Sequence, residues 1–536
     1  MEVGPKVESK NSEQCLRGLY SYCAPNINKQ SAKTLREKPR AGIMLYLRRL
    51  FSQELSPAAQ TDFLGCLQQA PLLLTNGFAG SHALESLSWL HNLAPCFPLR
   101  GDQIHVIHEP QHFYDTLIQR IAKAKKRIVL ASLYLGTGQL ESAFVQTLRH
   151  SLQSESSLRL NVLLDFTRGT RGDLNSKSML MPLVREFKEQ VQLSLYHTPD
   201  LRGMTKRLAP PRWNELLGLQ HMKVYLFDDA VIISGANLSN DYFTNRQDRY
   251  ILIEDKPLAD FYAQLIGRVQ EFSLAVSPDA SEGLHPNWRI LPYEGTKQEF
   301  IQLARKRISD FVQETYKRQS QVRDLQTGAD TWVFPLLEMG QIGIHHDSVV
   351  TKRLLSSCIA GSRLKLATGY FNLTQEYMDT ITHECLAQCS ILMAHPNANG
   401  FQGAKGPAGG IPAAYTLIAK SFYESLVRRK QNHRVNFFEY EKPGWTYHAK
   451  GLWYYLPEAR LPNLTLIGSS NFGERSVNRD LETQVCLVTT NTDLSQRLQA
   501  EADRLYDLSQ TAEREIVRRA VPRWVQAVVR IFRNFF

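Results

Sequence analysis

Two sets of polar side chains with the same spacing lie in the two halves of the sequence. Each set begins with a His-x-Lys motif, continues with an Asn in a glycine-containing segment, and ends with a carboxylate eleven residues after that Asn. A single His-x-Lys motif is common on surface strands, but two copies with matched Asn and carboxylate spacings are not expected by chance. The first set is His221, Lys223, Asn237 and Asp248, and the second is His448, Lys450, Asn471 and Glu482.

Such a pair of sets suits transfer chemistry at a phosphodiester. The substrate is anionic, so ammonium and amide groups are needed to hold its oxygens and the charge of the transition state. One neutral imidazole can attack phosphorus and form a phospho-histidine intermediate. The other, protonated, donates to the leaving oxygen and then takes a proton from the incoming hydroxyl. The carboxylates of Asp248 and Glu482 could fix the tautomers of the two imidazoles. This chemistry requires no metal and no cofactor, and it leaves room for stimulation by a divalent ion.

The strands that must position these residues are also repeated. Strands that alternate with helical segments predict an α/β layered fold in each half. On a strand, His and Lys two residues apart point to the same side, and we expect the Gly–Asn segment on a neighbouring strand. A pseudo-twofold axis between the halves would bring both sets into one shared active site. The repeated apolar segments are 127–135, 158–165 and 191–196 in the first half, and 363–371, 388–394 and 435–440 in the second.

The duplication divides the chain into five parts. Between the halves, several prolines precede a charged helix candidate from Lys297 to Arg323, which we interpret as a connector and packing helix. The predicted parts are an N-terminal extension over 1–96, a first half over 97–275, a connector over 276–330, a second half over 331–510 and a basic C-terminal helix over 511–536.

Composition and charge narrow the classes of function. The 536 residues are 43% hydrophobic and 21% charged, as in an ordinary globular protein with two or more domains. Residues 14–50 contribute +7 and residues 511–536 contribute +4 to the net charge of +11, so the remainder is neutral. Nucleic acid needs a basic stripe on the folded body, so we expect no nucleic-acid partner. We interpret Cys385 and Cys389 as core residues of a protein in a reducing compartment, not as metal ligands.

Both basic ends suggest where the protein works. Residues 14–50 hold eight basic side chains and one Glu, which is typical of an organelle transit segment, with a solvated basic tail as the alternative. Residues 523–536 follow Pro522 and form a basic amphipathic helix candidate. Such a helix suits the surface of an anionic membrane, although a helix docked on its own protein would look much the same. No segment has the length and apolar composition of a transmembrane helix.

The paired motifs resemble the phospholipase D superfamily, whose signature His-x-Lys-x4-Asp is used twice per active site. The first copy runs from His221 to Asp228, whereas the second has Tyr455 where the Asp would stand. Within that superfamily, the chain from about residue 97 to 488 is similar to the eukaryotic mitochondrial phosphatidylglycerophosphate synthases. The segments that carry this similarity are 133–138, 164–169, 218–228, 234–239, 242–250, 368–374 and 468–473.

The resemblance implies a fold, a reaction and a location. It implies two phospholipase D-like α/β/α-layer halves that transfer the phosphatidyl group of CDP-diacylglycerol to sn-glycerol 3-phosphate and release CMP. This reaction leads to phosphatidylglycerol and cardiolipin. It further implies Asp228 as a member of the catalytic set, His221 as the nucleophile and His448 as its acid/base partner, roles that the residues alone do not assign. The expected location is the mitochondrion, peripheral on the inner membrane, and protein partners are not indicated.

Five further residues are candidates for binding the substrate phosphates. Gly136 and Gly138 follow a strand and could approach the CDP phosphates. Lys405 lies in a glycine-rich loop that could wrap the phosphate of the second substrate, or could be a flexible surface turn. Arginine binds phosphate through two parallel hydrogen bonds, and Arg246 and Arg479 occupy nearly matching positions in the two halves.

Two other functions remain open at this point. The same catalytic residues would serve a phospholipase D-type hydrolase or a nuclease with water as the acceptor. A lipid-binding scaffold without activity is less favoured, because both His-Lys pairs, both Asn residues and both carboxylates are intact.

Overall fold

The computed structural model describes residues 63, 78, 82–203, 217–321, 328–404 and 409–532. All of them belong to one compact unit, Pro57–Phe536. The transit segment predicted over 14–50 and the phosphate candidate Lys405 lie outside the described residues.

Strands and helices alternate along both halves, as buried apolar segments separated by amphipathic ones require. The strands are β1 (Phe97–Leu99), β2 (Ile104–Ile107), β3 (Arg127–Ala131), β4 (Arg159–Asp165), β5 (Val191–Tyr196), β6 (Val224–Phe227), β7 (Ala230–Ser234), β8 (Arg246–Gln247), β9 (Tyr250–Glu254), β10 (Leu274–Val276), β11 (Glu282–Leu284), β12 (Thr331–Met339), β13 (Ile344–His345), β14 (Arg363–Thr368), β15 (Gln388–Ala394), β16 (Val435–Tyr440), β17 (Thr446–Tyr447), β18 (Gly451–Tyr455), β19 (Leu464–Gly468), β20 (Leu481–Thr489) and β21 (Ser509–Thr511).

The α-helices are α1 (Pro110–Lys123), α2 (Gln139–Ser154), α3 (Phe166–Gly169), α4 (Ser176–Glu186), α5 (Asn240–Thr244), α6 (Lys256–Glu271), α7 (Lys297–Gln321), α8 (His346–Ser356), α9 (Gln375–His383), α10 (Ile411–Arg428), α11 (Glu474–Asn478), α12 (Thr492–Asp507), α13 (Glu513–Arg518) and α14 (Arg523–Phe532). Short 3-10 helices cover His82–Asn92, Gly101–Gln103, Gly340–Ile342 and Pro396–Ala398. None of the helices in the described part of the chain has the length and apolarity needed to cross a membrane.

Two mixed sheets carry the duplication. The first has the order β11-β10-β5-β4-β3-β6-β7-β9-β2, and the second has the order β1-β12-β20-β19-β18-β14-β15-β16-β21, with β13 paired to β12. Strands β3, β4 and β5 run parallel, as do β14, β15 and β16. Strand β6 joins β3 antiparallel in the first half, and β18 joins β14 antiparallel in the second. The six predicted strands therefore form the same three-stranded core in both halves, which confirms the α/β class.

The sheet edges differ from the predicted part boundaries. Strand β1, expected in the first half, pairs with β12 of the second sheet, and β11, expected in the connector, extends the first sheet through β10. Short edge strands carry little apolar pattern, so tertiary pairing decides which sheet they join. The predicted connector helix begins at Lys297, as expected, and packs on α6 of the first half.

Both faces of each sheet are buried, which explains why the strands read as continuous apolar runs. In β18, Trp453 and Tyr455 enter a core that both sheets share, whereas Leu452 and Tyr454 enter the core on the outer face of the second sheet. A third core covers the outer face of the first sheet. The two sheets thus enclose a common apolar layer and lie between helices. Cys385 and Cys389 belong to the second outer core, in agreement with the core interpretation.

A buried ion pair links the halves beside the shared core. Arg249 of the first half makes two hydrogen bonds, of 2.9 and 2.8 Å, to the carboxylate of Glu501 in α12. Its guanidinium also lies over the ring of Trp453, 3.8 Å from the ring centre. Because a bidentate arginine–carboxylate pair fixes direction as well as distance, this contact orients one half against the other.

The C-terminal helix packs on its own protein. Val525 and Val529 of α14 are buried in the outer core of the second half, where the helix lies on α10. Trp524 is 48% exposed, and its ring lies directly against Gly410 at the start of α10. The apolar face of α14 is therefore used in part by the protein itself, while its arginine and tryptophan side remains at the surface.

Candidate active site

The first His-x-Lys motif lies directly before β6, not within a strand, at the point where the halves meet. The backbone N–H of His221 donates to the carbonyl of Leu481 (2.8 Å), and that of Leu481 donates to the carbonyl of Leu219 (2.8 Å). Glu482 follows Leu481, and its Oε1 lies 2.7 Å from Nδ1 of His221. The carboxylate that orients the first histidine therefore comes from the second half.

The second motif repeats this arrangement with the halves exchanged. The backbone N–H of His448 donates to the carbonyl of Gln247 (2.8 Å), and that of Thr446 donates to the carbonyl of Asn245 (3.0 Å). The adjacent Asp248 places its Oδ2 2.6 Å from Nδ1 of His448. Each histidine is thus paired with the carboxylate of the opposite half, the two pairs are equivalent as a pseudo-twofold relation requires, and both Nδ1 atoms are engaged.

The two lysines lie between these pairs. Lys223 Nζ donates to the carbonyl of His221 at 2.7 Å, and Lys450 Nζ donates to that of His448 at 3.1 Å. Lys450 Nζ also lies 2.9 Å from Nδ1 of His448. Both Nζ groups are buried, so an anion bound between the two pairs would meet two desolvated lysines.

A glycine and two amides complete the set. A Cβ on Gly235 would lie 2.6 Å from Oδ1 of Asp248 and 2.9 Å from Nζ of Lys450, so only glycine allows this packing. The side-chain carbonyl oxygens of Asn237 and Asn471 are buried and have no hydrogen-bond partner in the described part of the protein. A bound phosphate would be held by the N–H groups of these amides, since a carbonyl oxygen only accepts, and this role stays a prediction.

Burial dominates the electrostatics of the site. Burial and the ammonium of Lys223 hold the pKa of His221 well below its usual range, and burial with Lys450 lowers the pKa of His448 to about 3. Burial also lowers the pKa of Lys223 to about 7, lowers that of Lys450, and raises the pKa of Glu482 to about 7. Both histidines are consequently neutral in the free protein at neutral pH. A bound anion would favour the protonated forms of the histidines and lysines.

Two buried carboxylates that sequence reasoning did not single out hold the segment before His221. Asp165 Oδ2 accepts from the N–H of Gln220 at 3.1 Å, and Asp480 Oδ1 accepts from the N–H of Leu219 at 3.0 Å. Asp480 is also 3.2 Å from Nε of Arg475. Asp165 ends a buried strand and Asp480 lies two residues before Glu482, positions that the repeat alone does not mark as functional.

One group in the site has the residue types of a metal centre. His221, Asp480 and Glu482 bring three potential ligand atoms within 4.8 Å of one another. The carboxylates are already near cations, Lys223 beside Glu482 and Arg475 beside Asp480. We therefore assign no metal to this cluster.

Asp228, expected in the catalytic set, lies away from it. It follows the far end of β6, about 16 Å along the strand from Lys223 at 3.3 Å per residue. Its carboxylate accepts the backbone N–H groups of residues 125–127 at 2.7 to 3.0 Å. Tyr455 occupies the equivalent end of β18 and donates to Gln499 at 2.9 Å. The third named position of the motif, Asp228 or Tyr455, closes a strand end in both halves, which explains why an Asp is not needed in the second.

We expect Asp228→Ala to destabilise the protein without impairing catalysis. The change removes three hydrogen bonds and places Ala at a φ of +52°, so unfolding should become easier by about 2–3 kcal/mol. Thermal unfolding and kcat are the measurements, with the neighbouring Asp229→Ala as the matched control. A folded Asp228→Ala protein that loses more than tenfold in kcat would return this residue to the site.

The two glycine candidates enclose a carboxylate of the protein. Side chains on Gly136 or Gly138 would overlap the carboxylate of Glu141, whose Oε1 accepts the N–H of Asn240 at 2.6 Å. The glycines are therefore explained by close approach to a buried carboxyl group of the protein. Contact between these glycines and the CDP phosphates stays a prediction.

Of the two candidate arginines, Arg246 lies at the site. Its Nε donates to Thr446 at 3.0 Å, its Nη2 lies 3.1 Å from Asp241, and its guanidinium lies over the ring of Tyr242 at 4.8 Å. Its charge acts on the second histidine, His448. Arg246 is thus positioned beside the second half-site.

The other candidate, Arg479, stays a prediction, and a neighbouring arginine acts on the first histidine. The charges of Asp200, Asp480 and Arg475 act on Arg479. The arginine whose charge acts on His221 is Arg475. The equivalent position in the first half is Asp241, an acidic residue, so comparison of the two halves did not reveal Arg475.

Tyrosines around the second histidine were also missed. The rings of Tyr242 and Tyr370 lie perpendicular to that of His448, at 5.2 and 5.7 Å between centres. Tyr415 stacks on Tyr370 at 5.2 Å. The sequence did hold one indication of them, because Tyr134 and Tyr370 occupy equivalent positions after β3 and β14. These positions lie outside the polar motifs.

The two α/β layers and the crossed histidine–carboxylate pairs define a phosphotransfer site of the phospholipase D type. Residues 117–269 match the family model described as "Cardiolipin synthase, PLD-like domain". The chain also resembles the crystal structure of phosphatidylserine synthase from Haemophilus influenzae Rd KW20, with a TM-score of 0.63 and 20% identity over 84% of this chain and 97% of that one, a likeness of fold.

Relatives with high coverage define the family. The chain is 44% identical to the mitochondrial CDP-diacylglycerol–glycerol-3-phosphate 3-phosphatidyltransferase of Gallus gallus, over 85% of this chain and 87% of the relative. It is 44% identical to that of Homo sapiens, over 84% and 86%. It is 34% identical to the Saccharomyces cerevisiae enzyme, over 77% and 84%. The chain belongs to the family of CDP-diacylglycerol–glycerol-3-phosphate 3-phosphatidyltransferases.

Proposed function

We propose that this protein transfers the phosphatidyl group of CDP-diacylglycerol to sn-glycerol 3-phosphate, giving phosphatidylglycerophosphate and CMP. The observation that carries the proposal is the crossed pair of histidines, each held at Nδ1 by the carboxylate of the other half, at 2.7 and 2.6 Å. This arrangement leaves two Nε2 atoms for chemistry, beside two buried ammonium groups. The names of the relatives supply the substrates.

The reaction proceeds in two displacements. In the first, Nε2 of one histidine forms a bond to the phosphorus next to diacylglycerol, the P–O bond to CMP breaks, and the other histidine gives its proton to the departing CMP oxygen. In the second, that histidine takes the proton of the glycerol hydroxyl, the new P–O bond forms and the P–N bond breaks. Lys223, Lys450, Asn237 and Asn471 hold the phosphoryl oxygens in both steps.

The lowered pKa values of His221 and His448 in the free protein fit these two displacements. A neutral imidazole is the form needed for attack on phosphorus. The acid must gain a proton, and the diphosphate of the bound substrate favours this because it places negative charge beside His448 and Lys450. Asp248 stabilises the resulting imidazolium through its 2.6 Å bond. The chemistry needs no metal, and a divalent ion that stimulates turnover would act through the substrate diphosphate.

Radiolabelled glycerol 3-phosphate and CDP-diacylglycerol in mixed micelles test the proposal. We expect label to enter the lipid phase in a one-to-one ratio with CMP, and activity to persist in EDTA. CMP release without labelled lipid would identify water as the acceptor and support a hydrolase.

We expect a bell-shaped dependence of kcat/KM on pH, centred near pH 7. Glu482 must be ionised to orient His221, so activity falls as pH drops below its pKa of about 7. Lys223 must be protonated to bind phosphate, so activity falls as pH rises above its pKa of about 7. Bound diphosphate favours the ammonium, so the alkaline limb of kcat should lie at higher pH than that of kcat/KM. Coincident alkaline limbs for the two parameters would contradict the role of Lys223.

A membrane surface supplies the lipid substrate, and we propose that α14 contributes to peripheral binding at the mitochondrial inner membrane. Arg523, Trp524 and Arg530 are exposed on this helix, a combination suited to anionic lipid. Sedimentation with vesicles that contain anionic lipid should retain the protein, and the double variant Arg523→Gln, Trp524→Ala should be retained several-fold less. Equal retention would assign membrane binding to another surface.

A further inference from the structure

The two histidines differ at the nitrogen that reacts. The hydroxyl of Tyr242 lies 3.3 Å from Nε2 of His448, and Nζ of Lys450 lies 3.3 Å from the same atom. Tyr242 is 2% exposed. In contrast, the described residues give Nε2 of His221 no hydrogen-bond partner. A symmetric pair of motifs therefore has one occupied and one open Nε2.

The repeat shows where the symmetry is broken. Tyr242 lies six residues before Asp248, and its counterpart, six residues before Glu482, is Ser476. The Ser476 hydroxyl does not reach a histidine: it donates to Oε1 of Glu482 at 2.9 Å and accepts the N–H of Asn471 at 3.0 Å. Ser476 thus supports the carboxylate of Glu482, whereas its counterpart Tyr242 contacts His448 of the opposite half.

We propose that Tyr242 is the positioning residue that reserves His448 for acid/base catalysis and so leaves His221 as the nucleophile. The inference rests on the proposed phosphatidyl transfer. An imidazole whose Nδ1–H donates to a carboxylate has its lone pair on Nε2. A phenol that donates to this lone pair competes with its attack on phosphorus, and the lone pair of His221 is not so engaged.

The same contact suits the acid/base cycle. When Nε2 of His448 carries a proton, the Tyr242 oxygen can accept it as a hydrogen bond until the departing CMP oxygen takes its place and receives the proton. The ring is fixed for this purpose, because the Arg246 guanidinium covers it at 4.8 Å and Nε of Arg246 is bonded to Thr446, two residues before His448. Removal of the hydroxyl would leave Lys450 Nζ, at 3.3 Å, as the one described partner of Nε2 of His448, and attack by that imidazole would become easier.

The test compares Tyr242→Phe with the wild type and with Tyr447→Phe in the full chain. Tyr447 precedes His448, and its buried hydroxyl has no hydrogen-bond partner in the described residues, so its loss is a matched control. Diethyl pyrocarbonate, which acylates unprotonated imidazole, reports lone-pair availability without turnover. Peptide mapping should show His221 modified faster than His448 in the wild type and in Tyr447→Phe. In Tyr242→Phe the rate at His448 should rise about tenfold or more.

Alkaline quench with substrate labelled at the phosphorus next to diacylglycerol gives a second readout. We expect phosphohistidine at position 221 in the wild type, at both positions in Tyr242→Phe, and a kcat lowered by about 10- to 100-fold in that variant. Equal acylation of both histidines in the wild type, or unchanged rates in a folded Tyr242→Phe protein, overturns the inference. Wild-type protein that forms neither CMP nor labelled lipid would refute the proposed function, while the acylation rates would still decide the role of Tyr242.

Discussion

The variant His448→Ala is expected to lower steady-state phosphatidyl transfer by about 10³-fold or more. The loss should fall mainly on the second displacement, where a glycerol hydroxyl must lose its proton to become a nucleophile. The first displacement expels a phosphate oxygen, which is a far weaker base than an alkoxide and needs less help from an acid. We therefore expect His448→Ala to release at most one equivalent of CMP per site and then stop as the phospho-histidine form, whereas His221→Ala should release none.

Rapid-quench measurement of CMP, followed by mapping of the trapped phosphate, tests this expectation. The fold should persist, because the pairing between the motifs uses the backbone N–H of residue 448 and not its imidazole. His346→Ala is the matched control: His346 is also buried, and burial lowers its pKa to about 4, but its Nε2 bonds the carbonyl of Leu93 outside the cleft. That variant should lose stability and keep its kcat. Multiple turnovers by His448→Ala at a tenth of the wild-type rate would contradict the shared two-histidine site.

The spacing of apolar and polar residues within each half was enough to predict the central strands and part of the candidate site. The apolar segments predicted as strands form the parallel core of both sheets, because buried strands leave the same continuous apolar signal in each copy. The matched spacing of His221 and Lys223 with His448 and Lys450 identified residues that the fold brings together. Because the same spacing occurs in both halves, a chance occurrence of the motif could be set aside.

Contacts between distant segments could not be read in the same way. The sequence does not state that Glu482 serves His221 while Asp248 serves His448, because that exchange depends on how the two halves dock. Asp228 was placed with the motif by its spacing from His221, but a strand carries it to the opposite end of the sheet. The glycines at 136 and 138 signalled close approach correctly, yet what approaches them is a carboxylate of the protein.

Glu482→Gln is expected to lower kcat by about 10³–10⁴-fold, even though this residue lies in the opposite half from the histidine it orients. The carboxylate accepts from Nδ1 of His221 at 2.7 Å and so keeps the lone pair on Nε2, where attack on phosphorus occurs. An amide can donate to Nδ1 instead, which favours the wrong tautomer. The bonds from Ser476 and the backbone pairing at Leu481 remain, so the geometry should change little.

The neighbouring strand supplies the matched control for this substitution. Glu338 faces Glu482 across β12 and β20, is equally buried, has a pKa that burial raises to about 7, and bonds Nδ1 of His345 at 2.8 Å. Glu338→Gln changes the same chemical group in the same surroundings without touching either motif. We expect thermal unfolding to shift similarly in the two variants, while the rate of phospho-histidine formation in a single turnover falls only in Glu482→Gln. Similar losses of that rate in both variants would show that the carboxylates act through stability and not through the tautomer of His221.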